Sequence, residues 1–274
     1  MGGCMMDTSY RQFFALQKEP FGNDISRKDI MLTRPLAATQ ERILYGLRLG
    51  AAVLVTGEIG SGKSTALRYV LGGLHPSEYK VLSVTATSGS ILELYRQILG
   101  ELGNEGTGSS KAAMTKAIKQ EILDLTMGKK MKVALVIDEA SLLRMEVFAE
   151  LHTLTQFEQD SKPWLPIVLA GQANLVENLK YRTSMPLADR VVARSHLKGG
   201  DLETMTAYLK HHLAIAGVER MLFDDTAITA IHQGSGGLYR KANHLARGAL
   251  IAAARSDAAM ACAEHVRVAA TELL

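Results

Sequence analysis

The chain has 274 residues, 47% of them hydrophobic, and a net charge of +3 from 31 basic and 28 acidic side chains. Such a length carries one large α/β domain and a small second one, while a charge so near neutral does not by itself argue for a nucleic-acid partner. The two cysteines, Cys4 and Cys262, form no C-x-x-C, which argues against a disulfide framework or a zinc site and for a reducing, cytoplasmic setting.

Taken in order, Met1 to Met6 lacks the Ser or Thr that a myristoylation signal needs at position 6. No secretory leader precedes Cys4, and no 18-residue apolar run occurs, so a membrane partner is not expected. Residues 1–45 read as a docked segment rather than a tail, because Tyr10, Phe13, Phe14 and Phe21 supply rings to bury. A helix is predicted over Thr39–Leu49, with its N-terminus at Ala38–Thr39 and an acid, Glu41, in its first turn.

Ala51 to Thr56 is a short apolar, β-branched strand, and it leads into Gly57-Glu58-Ile59-Gly60-Ser61-Gly62-Lys63-Ser64, which fits G-x-x-x-x-G-K-[ST]. Glycines at 57, 60 and 62 let backbone N–H groups turn inward around an anion, and the helix from Ser64 to Leu74 points its positive end at the same place. Lys63 supplies a mobile charge to the β and γ phosphates of ATP, Ser64 a hydroxyl to Mg²⁺, and Thr65 a contact beside the α-phosphate. In the lead-in, Ile30, Met31 and Leu32 are the candidates for covering the base, with ordinary core packing as the equal alternative.

Lys80–Thr85 is the second predicted strand and Ser88–Leu102 the next helix. The stretch Gly103 to Ser110 has the composition of a surface loop, and the helix after it carries Lys111, Lys116 and Lys119. These lysines are either a solvated face or contacts to DNA phosphates, with Lys129, Lys130 and Lys132 as weaker companions. Val133 to Ile137 is an apolar strand that ends in Asp138 and Glu139: Asp138 reaches the Mg²⁺ shell, through water, and Glu139 orients and deprotonates the attacking water. A long helix is predicted over Leu142–Glu158, then a strand over Leu165–Gln172 with Gln172 at its tip, facing the γ-phosphate.

Alternating strands and helices require a parallel sheet, whose ligands sit beyond the carboxyl ends of the strands. After a short Val191–Ala193 strand flanked by Arg190 and Arg194, Gly199-Gly200 marks a boundary. Helices are predicted beyond it over 201–216, 224–233, 239–255 and 265–274. Three parts follow: a docked segment (1–45) near the adenine, a P-loop core (46–198), and an α-helical lid (199–274).

These features together resemble the AAA+ ATPases, whose fold is a P-loop parallel sheet flanked by helices with a small C-terminal α-helical lid. More narrowly they resemble the ExeA-type group, through Phe13-Phe14-Ala15-Leu16, Pro20-Phe21, Asp138-Glu139-Ala140, Leu169-Ala170-Gly171-Gln172 and Gly237-Leu238-Tyr239-Arg240 with Asn243. Tyr239 departs from the group's Gly-x-Pro-Arg. The resemblance implies that Gln172 is sensor 1, Arg240 sensor 2, and Arg190 a finger for a neighbouring subunit, with Arg182 and Arg194 as competitors and a surface salt bridge as the plainer reading.

Secretion ATPases of this group continue past the ATPase module, whereas this chain stops at Leu274. That favours the short members accompanying bacterial transposases, similar in role to IstB, MuB and TnsC. The implied activity is ATP hydrolysis by a homo-oligomer on double-stranded DNA that regulates a transposase. A small-molecule kinase is the alternative of another class, and Glu139 and the helical lid argue against it.

Overall fold

The computed structural model describes residues 10–104, 108 and 110–272. The expectations for Met1–Met6, and for Glu105, Gly106, Thr107 and Ser109 of the loop, fall outside them. The chain forms two compact units, one of residues 34–58 and 63–197, the other of residues up to 33, 59–62 and from 198 onward.

The first unit is a parallel five-stranded sheet with its helices: α1 (Arg34–Leu49), β1 (Ala52–Gly57), α2 (Lys63–Leu71), β2 (Tyr79–Thr85), α3 (Ile91–Leu102), α4 (Lys111–Leu123), β3 (Lys132–Asp138), α5 (Met145–Thr155), β4 (Ile167–Gly171), α6 (Asn174–Lys180), α7 (Met185–Ala188) and β5 (Val191–Leu197). The strand order is β2-β3-β4-β1-β5. The inner strands β1, β3 and β4 are buried almost throughout, as apolar runs covered on both faces must be, while the edge strand β5 alternates between buried and exposed positions. Leu82, Ile98, Ile118, Leu135 and Phe148 meet in its core.

Three expectations are corrected here. Helix α1 starts at Arg34, not Thr39, because Pro35 fits a first helical turn where the missing N–H has no partner to lose. Thr39 is therefore interior and buried; its hydroxyl donates to Pro35 O at 2.8 Å and pairs with Ser195 Oγ at 2.5 Å. The strand after Arg190 runs on to Leu197, since Arg194 and His196 occupy exposed positions of an edge strand that pairs with β1 up to Leu197, after one register shift between Ala52 and Val53. The predicted helix 142–158 is split into a 3-10 turn, Ala140–Leu142, and the α-helix Met145–Thr155.

In the second unit Tyr10, Phe14 and Phe21 share one core with α8 (Leu202–Ile215), α9 (Asp225–Ser235), α10 (Tyr239–Arg255) and α11 (Ala263–Thr271), whereas Phe13, also expected to be buried, is exposed and meets Phe14 only edge-on. Tyr10, Phe14 and Phe21 are all buried there, each contributing roughly 1.5–3 kcal/mol by leaving water. Arg247 of α10 clasps the segment by donating to Glu19 Oε1 at 3.0 Å and to Phe21 O at 2.7 Å, and Tyr10 donates to the other Glu19 oxygen.

His212 lies in the same core. Its Nδ1 donates to Pro20 O at 2.6 Å, and its ring lies on Phe21 and Tyr208 with centroids 5.7 and 4.2 Å away. Burial pulls its pKa down to about 4. Between that value and the free value near 6.5 the unfolded chain binds the proton that the folded one refuses. Stability from neutral His212 is therefore present above about pH 6.5 and is lost as pH falls toward 4, to the extent of about 3 kcal/mol. In His212→Asn the amide keeps a donor for Pro20 O, so the variant should melt lower than wild type at pH 7.5, and the gap should narrow as the pH falls. Thermal melts between pH 7.5 and 4.5 check this; a constant gap would remove His212 from the acid response.

Candidate functional site

The loop between β1 and α2 takes left-handed backbone angles at Gly60 (φ +84°) and Gly62 (φ +97°), which residues with a Cβ adopt only with strain. Lys63 is 6% exposed, and its Nζ donates to Gly57 O at 3.0 Å and Glu58 O at 2.9 Å. An ammonium resting on the carbonyls of its own loop is a charge that an anion can draw away. Ser61 is 3% exposed, and its Oγ has no hydrogen-bond partner, an orphan that a ligand oxygen would satisfy. Glu58 and Ile59 are exposed, while Thr65 is half-buried in the first turn of α2.

At the end of β3, Asp138 is fixed through both oxygens: Oδ1 accepts from the Glu139 N–H at 2.8 Å and Oδ2 from Ser64 Oγ at 2.8 Å. A hydroxyl and a carboxylate at that separation form an oxygen donor set suited to a hard divalent cation. Glu139 sits in the left-handed region (φ 53°, ψ 30°), at a cost of about 1–2 kcal/mol. This conformation breaks the strand alternation that would send Asp138 and Glu139 to opposite faces.

The sheet order puts β4 between β3 and β1, so the strand that leads to Gln172 lies between those carrying Asp138 and Gly57. The Gln172 N–H donates to Ser141 Oγ at 3.3 Å. A Cβ at Gly171 would lie 2.8 Å from Ser141 N and 3.1 Å from Leu175 Cδ2, so glycine is what lets the strand tip and the turn after Glu139 touch. Ser141 was not singled out in the sequence; its buried hydroxyl ties the two strand ends together.

The arginines are placed differently from one another. Arg190 is half-buried: its Nε donates to His152 Nδ1 at 3.1 Å, and its Nη2 is paired with Asp160. Burial and then the Arg190 charge lower the His152 pKa, while the Arg190 hydrogen bond lowers that of Asp160. Arg182 and Arg194 are exposed. Neither His152 nor Asp160 was singled out in the sequence, where 30 residues separate Asp160 from Arg190 with no pattern to connect them. In the other unit, Arg240 is exposed at the second position of α10; its N–H donates to Gly60 O at 3.3 Å, and its Cβ would stand 2.9 Å from a Cβ at Gly60. Tyr239 begins that helix and packs on Tyr208, whose hydroxyl donates to Asn243 Oδ1 at 2.9 Å. Ile30 is buried in the same unit and Leu32 is exposed.

Lys111, Lys116 and Lys119 of α4 line one cleft of about 620 Å³ together with Tyr95 and Glu150. Lys111 is paired with Glu150 at 2.7 Å. Lys119 donates to Gln156 O at 2.8 Å above the Phe157 ring, and burial lowers its pKa. Lys116 is exposed.

A parallel sheet in this order, with a glycine-rich loop after β1, an acidic pair after β3 and a polar residue after β4 between them, defines a P-loop protein of the AAA+ fold class. Residues 48–179 match the family described as "AAA domain". Over 247 residues the chain is 32% identical to General secretion pathway protein A of Aeromonas hydrophila, which covers 89% of this chain and 45% of that protein. The chain thus spans less than half the length of that relative.

Among solved structures, Cdc6p from Pyrobaculum aerophilum superposes with a TM-score of 0.71 at 13% identity, covering 93% of this chain and 70% of that one. The Aeropyrum pernix ORC1 protein, solved in complex with DNA, gives 0.68 at 19% identity over 93% and 68%. At those identities the likeness is one of fold.

Gly171 tests the coupling of the strand ends. Gly171→Ala should cost roughly 1–3 kcal/mol in stability, because Ser141 N is backbone and cannot swing aside. Chemical unfolding checks the value, and an unchanged midpoint would mean that the turn after Glu139 yields without strain.

Proposed function

We propose that the protein binds and hydrolyses ATP, and that it does so as an assembly of several copies. The observation that carries this reading is the Asp138 carboxylate held between the Ser64 hydroxyl and the Glu139 N–H, beside an ammonium parked on loop carbonyls. Residues 57–65 would wrap the phosphates, with Lys63 leaving Gly57 O and Glu58 O for the β and γ oxygens. Ser64 and Asp138 would hold Mg²⁺, which when bound draws charge from the phosphoryl oxygens. The Glu139 carboxylate takes a proton from the attacking water as its oxygen bonds to the γ-phosphorus and the bond to the β-γ bridging oxygen breaks, leaving ADP. Gln172 orients that water, Arg240 senses the γ-phosphate, and a neighbour's Arg190 completes the charge. Exposed Leu142 (49%), Tyr181 (58%) and Met185 (48%), on adjoining turns of the sheet unit, offer apolar surface for such a neighbour.

We further assign the assembly to double-stranded DNA in the cytoplasm, where it regulates a transposase by target selection or activation. The resemblance of Ala149 to Thr155 and Ala170 to Leu175 to the short stand-alone members of the ExeA-type group supports this reading. A second reading, a secretion-pathway ATPase, is favoured by the 32% identity to General secretion pathway protein A. Among the described residues, no helix is long and apolar enough to cross a membrane.

Lys63→Ala should lose nucleotide binding, whereas Glu139→Gln should bind ATP, assemble and fail to turn over. Fluorescent-nucleotide titration, sedimentation and phosphate release separate these defects. Wild-type turnover in Glu139→Gln, or a sedimentation coefficient indifferent to ATP, would contradict the roles given.

DNA binding should appear with ATP, ignore sequence and weaken with salt, since linked copies add phosphate contacts that one chain at +3 cannot supply. Replacing Lys111, Lys116 and Lys119 together by Ala should flatten the dependence of log affinity on log salt while sparing basal hydrolysis. The protein should also stimulate, with ATP, a transposase encoded beside it. An unchanged slope would move the DNA surface elsewhere, and a neighbourhood of secretion genes with no ATP-dependent DNA binding would bring the second reading forward.

A further inference from the structure

The segment after α5 contains a feature that nucleotide chemistry leaves unused. Glu158, Gln159 and Asp160 are three consecutive non-glycine residues at positive φ, 46°, 57° and 68°. Residues with a Cβ enter this region singly, and a run of them persists only where its surroundings impose it. The base of the turn is firmly built. Phe157 and Lys162 form an isolated bridge, the Phe157 ring packs on Trp164 at 5.6 Å, Lys119 Nζ sits over the same ring, and Ser161 Oγ donates to Glu158 O at 2.8 Å.

The tip projects the Asp160 carboxylate onto Arg190, and His152 Nδ1 accepts from the same guanidinium. The Arg190 side chain is 23% exposed and the Asp160 side chain 48%. The arginine is thus held within its own subunit, by a carboxylate that faces solvent on a strained turn.

We propose that the Glu158–Asp160 turn is a catch that keeps Arg190 within its own subunit and releases it when a second copy of the chain, with ATP bound, presents a stronger anion. The proposal rests on the reading of Arg190 as the residue given to a neighbour's site. The strain sets the balance of the catch. Three left-handed residues raise the energy of the closed form, so the ion pair holds without being permanent, and the released turn can relax to ordinary backbone angles. His152 positions the guanidinium through Nε, beside the Nη2 that meets Asp160: it is neutral and accepts a hydrogen bond, so it steers without adding a charge that release would have to overcome.

Two substitutions separate this device from a merely structural turn, because they move activation in opposite directions. Asp160→Asn keeps the shape of the tip but removes the charge on Arg190, and should lower the protein concentration for half-maximal ATPase activity by roughly five-fold. Gln159→Gly relieves strain in the closed form while keeping the ion pair, and should raise that concentration by up to about ten-fold while also raising the melting temperature. A turn of structural value only would gain melting temperature in Gln159→Gly with no change in the activating concentration.

The measurement is ATP turnover against protein concentration, with melts to confirm folding and Arg190→Ala alongside. If Arg190→Ala abolishes turnover while the other two leave the midpoint unmoved, the reading of Arg190 stands and the catch is overturned. If Arg190→Ala turns over like wild type, the reading of Arg190 fails and the catch fails with it.

Discussion

The parallel pairing of β1 with β4, and of β4 with β3, is the constraint from which the site follows. Parallel strands end on the same side, so one register decides that Gly57, Asp138 and Gln172 emerge together. The register is held by burial. Leu54, Val55, Ile137, Leu169 and Ala170 are all enclosed, on one face or the other, and a slip of one residue would exchange the side chains that each packed layer has to accommodate. Lys63 and Ser64 then need only the first turn of α2 to meet what β3 delivers. The fit is tight where the strand ends touch, at Gly171 against Ser141, and the polar contacts among them are short and backbone-anchored.

The second unit solves another problem, that of giving a small helical cluster enough interior. Its helices α8 to α11 share one core with the rings of Tyr10, Phe14 and Phe21. The clasp of Arg247 on Glu19 and Phe21 O, with Tyr10 on the same carboxylate, satisfies the polar groups that this docking removes from water. His212 shows the limit of the arrangement. An imidazole packed between Phe21 and Tyr208 is stable only while neutral, so this core carries an acid-sensitive element that a leucine at the same place would not.

What the sequence made legible follows from how local each signal is. The phosphate loop, the acidic pair and the alternation of strands and helices are read from contiguous residues, and the parallel sheet follows from them. Strand order does not, because nothing in residues 165–172 says that they insert between β1 and β3. Pro35 misled the start of α1, since a proline that stops a helix and one that opens it look alike until the turn before it is seen. The polar residues of β5 concealed the second half of a strand predicted only over Val191–Ala193: alternate positions of an edge strand face outward, so an Arg or His there carries no penalty. The Asp160, His152 and Arg190 group brings together residues from three separate segments, and no periodicity reports such a meeting.

Non-glycine residues held in the left-handed region occur at two places that bear on function, Glu139 and the 158–160 turn. Glycine at either would cost less in the folded backbone, yet it would remove the side chain whose direction the conformation sets. At Glu139 the left-handed angle detaches a carboxylate from the strand alternation while Asp138 Oδ1 pins its N–H. At Asp160 it carries a carboxylate out from a closed turn to meet an arginine 30 residues away. The two differ in what surrounds them. Glu139 is half-buried and is followed at once by fully buried Ala140, so its strain has no route to relax. The 158–160 tip is exposed to solvent beyond its bridged base, and the Asp160 carboxylate at its end is restrained by one ion pair. Strain enclosed by packing fixes geometry, whereas strain restrained by a single exposed contact gives a segment two accessible states, and that difference separates a positioned carboxylate from a releasable one.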